Sequence, residues 1–145
     1  MTDRRNLLER WVSWAPYFRS ILRVVSAFLF MQYGSTKLFG FPAEVMPGGG
    51  TAAPLSLAGI AAILELFGGA LLFVGLFTRP VAFILSGEMA IAYFYGHAGQ
   101  GPWPVLNQGA PATFYCFLFL YFSSAGAGPW SVDGVLRHRR TGQRS

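Results

Sequence analysis

Cysteine is nearly absent. Cys116 is the only one in 145 residues, so the chain holds no intrachain disulfide, no paired-thiol redox motif and no cysteine zinc site. Histidine is as scarce, with only His97 and His138, and the topology derived below puts these on opposite sides, where they cannot share one haem within a chain. Acidic residues number six, and charged residues of both signs make up only 12% of the sequence, against about a quarter in an ordinary soluble domain. Ser, His and Asp show no nucleophile-elbow spacing, and no acidic or histidine cluster has metal-ligand spacing, so no metal site is expected. Gly48-Gly49-Gly50 opens no helix and is followed by no Lys-Ser/Thr pair, which excludes a phosphate loop. Internal repeats and other low-complexity tracts are also lacking.

What is abundant is apolar surface. The chain is 53% hydrophobic with a mean hydropathy of +0.43, and this composition reads as a membrane protein. A hydrocarbon core takes about 20 helical residues. Four stretches reach or approach that length: residues 21–41, 54–77, 80–98 and a shorter one at 112–126. The expected fold is therefore all-α, a transmembrane four-helix bundle, with residues 1–145 forming a single membrane domain. Val24 to Met31 also has the length of a signal-peptide core, but Gln32-Tyr33-Gly34-Ser35-Thr36-Lys37 offers no clean small-x-small cleavage site, so the run is read as a span.

The basic residues orient the bundle. Ten of eleven fall on one proposed side: Arg4, Arg5, Arg10, Arg19 and Arg23 before the first span, Arg79 in the turn Phe77-Thr78-Arg79, and Arg137, Arg139, Arg140 and Arg144 after the fourth. Only Lys37 lies opposite. The positive-inside rule then places both termini in the cytoplasm of a bacterial cell, with the net charge of +5 drawn to anionic headgroups of the lipid bilayer. The basic residues flank apolar spans with no groove-reading motif between them, so no nucleic-acid partner is expected. Trp11, Trp14 and Trp130 fall near the inner interface and Trp103 near the outer one, as aromatic belts do.

The ends read as interfacial helices. Leu7, Leu8, Trp11, Val12 and Ala15 recur at helical spacing among Arg4, Asn6, Glu9, Arg10 and Ser13, in a stretch expected to stop at Pro16. At the other end Ser131 caps a helix that carries Asp133 in its first turn and arginines in its last. The outer loops, residues 39–53 and 99–110, are long, nearly uncharged and interrupted by Pro42, Pro47, Pro102 and Pro104.

Two carboxyls stand out. Glu65 and Glu88 lie in the second and third spans, at about 18 Å and 13 Å from their shared turn by helical rise, so they occupy one layer near the midplane. Helices joined by so short a turn are expected to be neighbours. An ionised carboxylate there costs roughly 2.5–3.5 kcal/mol on insertion scales, and such residues are candidates for function. The plain reading is that each braces a helix pair by a hydrogen bond. Ala58, Ala61, Ala62, Glu65, Gly68, Gly69 and Leu72 share one face of the second span, so that face meets protein at close range. Glu88 shares a face with Ala92 and Tyr95. Near the outer mouth stand Lys37, either a snorkelling anchor or a cation for a substrate anion; His97; and Asn107, whose plain reading is a turn residue. Glu65 and Glu88 are thus the proton-handling candidates, and Lys37, Tyr95, His97 and Asn107 the candidates for substrate binding. Cys116 reads as a buried small hydrophobe.

Together these residues carry a family resemblance. Tyr33-Gly34-x-x-Lys37-Leu38-Phe39-Gly40 ends the first span, Glu65-x-x-Gly68-Gly69-x-x-Leu72-x-x-Gly75-Leu76-x-Thr78-Arg79 crosses the second, and Glu88-Met89-Ala90 lies in the third. With His97, Trp103-Pro104 to Asn107-x-Gly109 and Gly126-x-Gly128-Pro129-Trp130-Ser131-x-Asp133, the chain from Arg19 to Arg140 resembles the DoxX family. That resemblance implies a small bacterial inner-membrane protein of four helices. The family is named for a small subunit of an archaeal thiosulfate:quinone oxidoreductase, and most bacterial relatives have no assigned reaction. This chain departs from its relatives at Tyr33, commonly His, and at Ala110, commonly Glu. The reading that follows is an oxidoreductase-associated membrane subunit with no redox centre of its own, a bound quinone as its expected ligand, and a redox-protein partner or a homo-oligomer as its assembly. Glu88, Glu65, Tyr95 and His97 would form a polar series up the third helix. The alternative is a small proton-coupled transporter or a non-catalytic scaffold.

Overall fold

The computed structural model describes residues 2–43 and 49–142, with the side chains of 9–43 and 49–139. Pro47, Gly48 and Arg144, and the side chains of Arg4, Arg5, Asn6, Leu7, Leu8 and Arg140, lie outside these described parts. Every regular element among the described residues is helical: α1 (Thr2–Phe39), α2 (Leu57–Val74), α3 (Thr78–Gly96), α4 (Ala110–Ala125) and α5 (Val132–Gly142), with one tight turn at Ala98–Gln100. Within α2, Leu64–Gly68 forms a wider π turn.

The ends of the helices follow local chemistry. Ser56 caps α2, its Oγ accepting the Gly59 amide at 3.0 Å, so the helix starts later than the apolar run does. Gly75, at φ 71°, ends it in the left-handed conformation that glycine adopts without penalty. Pro80 sits in the first turn of α3, where its missing donor costs nothing, and α3 therefore begins at Thr78.

One expectation needs correcting. Pro16 does not stop the first helix, which runs through it for 38 residues. A proline removes only its own N–H, and the downstream half of α1 is held by its packing on α2. The helices joined by the short turn are neighbours as expected, since a Cβ on Gly68 of α2 would stand 2.8 Å from Leu85 of α3, but the tightest pairs are α1 with α2 and α3 with α4. Small residues decide this: a Cβ on Gly34 would stand 2.6 Å from the Leu66 amide and 2.7 Å from the Ala62 carbonyl, so only glycine lets α1 lie so close to α2. On the other pair, the Ser86 hydroxyl donates to the Cys116 carbonyl at 2.8 Å, tying α3 to α4. Phe30 of α1 stacks on Tyr115 and Phe119 of α4, with ring centroids 5.1 and 4.7 Å apart, and joins the two pairs through one aromatic core.

Among the described residues one helix, α2, is long and apolar enough to cross a membrane by length and composition alone, and α4 is a shorter apolar helix. The apolar part of α1 is diluted by Arg23, Gln32 and Lys37, and α3 carries Arg79 and Glu88.

The arginines expected to mark topology also build the structure. Arg23 is fully buried, and its guanidinium donates to the carbonyls of Ala127 at 2.9 Å, Phe73 at 2.6 Å, Leu72 and Trp130. Arg19 donates to Ala125 at 2.9 Å, and Arg79 to Ser123 at 3.3 Å and to Ser124. The C-terminal carbonyls of α2 and α4 are thereby satisfied, where helix dipoles favour cations. Asp133 lies in the first turn of α5 as expected and serves a second helix too: its carboxylate accepts the amides of Phe77 and Thr78, both at 2.9 Å, and caps α3. Ser131 caps α5 as read from the sequence, accepting the Gly134 amide at 3.1 Å.

Replacing Arg23 by Met should strand these carbonyls, at about 1–3 kcal/mol for each group left unsatisfied. Thermal unfolding in detergent should show a large loss for Arg23→Met, a partial loss for Arg23→Lys, and almost none for Arg10→Met on the exposed face of α1. Equal melting temperatures for Arg23→Met and wild type would sink this account.

Candidate functional site

At the end of the molecule away from Arg23, Lys37 in the last turn of α1 meets Glu65 in the π turn of α2. Lys37 Nζ lies 2.6 Å from Glu65 Oε1, with side chains 27% and 3% exposed. The lysine is therefore an ion-pair partner rather than a snorkelling anchor. The close approach at Gly34, one turn earlier on α1, brings the two groups into reach. Glu65 Oε2 is buried with no hydrogen-bond partner among the described residues.

The pair borders a cavity of about 240 Å³, lined also by Tyr33, His97 and Tyr115 and closed on its apolar side by Phe30 and Met89. His97 ends α3, and its Nδ1 lies 2.9 Å from the Asn107 carbonyl. A carbonyl only accepts, so Nδ1 carries the proton and Nε2 is the nitrogen left for other chemistry. A second hollow of about 370 Å³, bounded by Leu29, Gln32, Thr36 and Pro42, shares Tyr33, Lys37 and Tyr115 with the first.

Asn107 is buried but is not part of the cavity lining. Its Oδ1 accepts the Gly109 amide at 2.9 Å and its Nδ2 donates to the Gly101 carbonyl at 2.8 Å, so its amide is spent on the loop that positions His97.

The expected series of Glu88, Glu65, Tyr95 and His97 divides in two. Tyr95 is 79% exposed, and with Glu88 it lines a groove of about 630 Å³ between α2 and α3. Tyr95 lines the groove and His97, just past the last turn of α3, lines the cavity, so the two do not meet in one pocket. Glu88 still shares a layer with Glu65 and Lys37, both of which act on it electrostatically. Ala92 is the wall common to groove and cavity.

Tyr115 and the π turn escaped the sequence reading. Tyr115 sits at helical spacing with Phe119 and Phe122, which looks like any core stripe, and nothing but Gly68-Gly69 marks the widened turn. Arg23 was legible as a cation but not as a buried one.

Comparison with known proteins places this geometry. The DoxX family profile matches residues 18–98. A Haemophilus influenzae protein described as uncharacterized is 44% identical over 131 residues, covering 88% of this chain and 95% of the relative. No solved structure matches the chain.

The ion pair makes a measurable claim. Lys37→Met leaves a buried carboxyl without its cation, which typically costs about 3–5 kcal/mol, whereas removing both members of a pair is far milder. The double variant Lys37→Met/Glu65→Leu should therefore melt higher than Lys37→Met alone. Additive losses in that double-mutant cycle would show that the two side chains do not interact.

Proposed function

The chain belongs to the DoxX family, and from that premise we propose that this membrane protein is a quinone-linked, oxidoreductase-associated subunit of the bacterial inner membrane, without a redox centre of its own. The observation that carries the reading is the cavity beside the Lys37–Glu65 pair, where polar groups converge on an otherwise apolar chamber next to a second hollow. A quinone head needs an apolar slot with hydrogen-bonding groups at its two carbonyl oxygens, and the residues present fit that need. Lys37 Nζ and the Tyr33 hydroxyl are the donors toward those oxygens. Glu65 holds the lysine in place, Phe30 and Met89 keep water out, and His97 offers Nε2 for proton exchange on the loop side. A bound quinone would supply the two-electron, two-proton chemistry that no side chain here provides. Electrons then come from a redox-protein partner, and a homo-oligomer is the other assembly compatible with this reading.

The same proposal sets the topology. Large apolar side chains lie exposed on all four long helices, among them Phe28 on α1, Ile60 on α2, Phe94 on α3 and Phe117 on α4. Contiguous apolar surface of this kind fits lipid. We read these helices as four spans, with the Arg23 end cytoplasmic together with both termini, the Lys37 end facing out, and α5 along the inner leaflet. Transport or scaffolding is the second reading, favoured by Glu88, which takes no part in the cavity.

Two measurements test this. Tags at both termini should report cytoplasm and a cysteine at Gly49 should react from outside; a periplasmic terminus overturns the topology. Organic extracts of protein purified from native membranes should contain quinone. Lys37→Met and His97→Gln should each lower its retention by roughly ten- to a hundredfold, the loss of one charged or well-placed hydrogen bond. Wild-type protein that retains no quinone, with its fold intact, overturns the quinone reading.

A further inference from the structure

Glu88 faces the gap between α2 and α3, where the groove walls are Ala58, Ala61 and Leu64 on one side and Ile84 and Ile91 on the other. Both its carboxylate oxygens are fully buried, and neither has a hydrogen-bond partner among the described residues. A carboxylate isolated in apolar surroundings is strongly disfavoured unless a proton neutralises it or a counter-charge answers it. The charged groups that face it are Glu65 from α2 and Lys37 from α1. Lys37 is already engaged with Glu65 Oε1 at 2.6 Å. α4 contributes no charged residue, and Arg79, the other charge on α3, lies at the opposite end donating to the last carbonyls of α4. One acidic group thus stands without an opposite.

We propose that the α2–α3 groove binds a lipophilic organic monocation, an ammonium or phosphonium centre on an apolar skeleton, with Glu88 as its counter-charge and a proton as its competitor at the same carboxylate. Charge complementarity selects the head, the apolar walls select the body, and a groove of about 630 Å³ has room for both. Tyr95 at the rim adds an aromatic face toward which a cation is drawn. An anionic lipid is repelled by the carboxylate, and a neutral amphiphile leaves it unanswered. The groove shares only Ala92 with the cavity assigned to quinone, so the two sites stand or fall separately.

The test is calorimetric titration of the full-length protein in neutral detergent with tetraphenylphosphonium. Saturable binding should strengthen by up to about a hundredfold between pH 6 and pH 9 as the competing proton leaves, and Glu88→Gln should abolish it. Gly87→Leu keeps the charge but fills the groove, because a Cβ at Gly87 meets nothing within 4 Å and the larger side chain has open space to enter. It should weaken binding to the same degree with an unchanged circular-dichroism spectrum, which separates loss of the site from loss of the fold. Lys37→Met, which dismantles the quinone cavity, should bind the cation at least as tightly as wild type. Absence of binding, undiminished binding in Glu88→Gln or Gly87→Leu, binding that ignores pH, loss of binding in Lys37→Met, or full displacement by a short-chain neutral quinone would each overturn the proposal.

Discussion

The buried guanidinium of Arg23 is the interaction on which the arrangement of helices depends. It comes from α1, yet its partners are the final carbonyls of α2 and two carbonyls in the segment that joins α4 to α5. A full positive charge taken out of water must be answered group by group. Here it is answered by carbonyl oxygens, by the negative end of the α2 dipole and by the charge of Asp133 acting from the start of α5. A lysine in its place has one point charge and cannot span carbonyls from two segments, whereas the planar fork of arginine can. Gly75 is part of the same device, since a Cβ there would stand 3.0 Å from the Arg23 Cζ. Asp133 completes it by holding the α2–α3 turn through the amides of Phe77 and Thr78.

One end of the molecule is therefore locked, and the layer of Lys37, Glu65 and Glu88 lies away from it. With their C-terminal carbonyls satisfied, α2 and α4 are fixed relative to α1. The glycine contacts then draw α1 onto α2, while Ser86 draws α3 onto α4. Two tight pairs meeting through an aromatic core leave open space where they do not interlock. That space is the cavity at Lys37 and the groove at Glu88, and both lie beside the layer that holds Lys37, Glu65 and Glu88. Three ionisable groups in one layer, two acids and one base, make the layer asymmetric. The base can neutralise only one acid, and the geometry gives it to Glu65.

Much of this was legible in the residues. Hydropathy and composition point to helices and membrane, the small-residue face of the second span points inward, and the lone carboxyls mark one shared layer, where the structure adds Lys37. What stayed hidden has physical reasons. A buried arginine and a headgroup-facing arginine are the same letter at the same distance from an apolar run, so Arg23 read as topology. Pro16 read as a stop because its local cost is real, but tertiary packing of the following turns outweighs one lost hydrogen bond. The short turn between α2 and α3 makes them neighbours, but a turn does not say that each packs more tightly on a different helix. Tyr95 and His97 are close in sequence, but the end of α3 falls between them and they face different pockets. Asn107 is a candidate for site and turn alike, and its hydrogen bonds show a side chain committed to the loop.

The π turn connects these threads. Leu64 and Glu65 are consecutive, yet Leu64 lines the groove between α2 and α3 while Glu65 lines the cavity toward α1 and α4. A turn that holds an extra residue widens the helix and re-aims the side chains after it, and such turns occur often at functional sites. In this chain the widened turn lies where α2 passes between its tight partner α1 and its loose partner α3. On one side of it Glu65 meets the lysine, and on the other the groove wall of α2 is hydrocarbon alone. Glu88 is therefore left facing an apolar wall, and the paired acid and the unpaired one lie on different sides of α2.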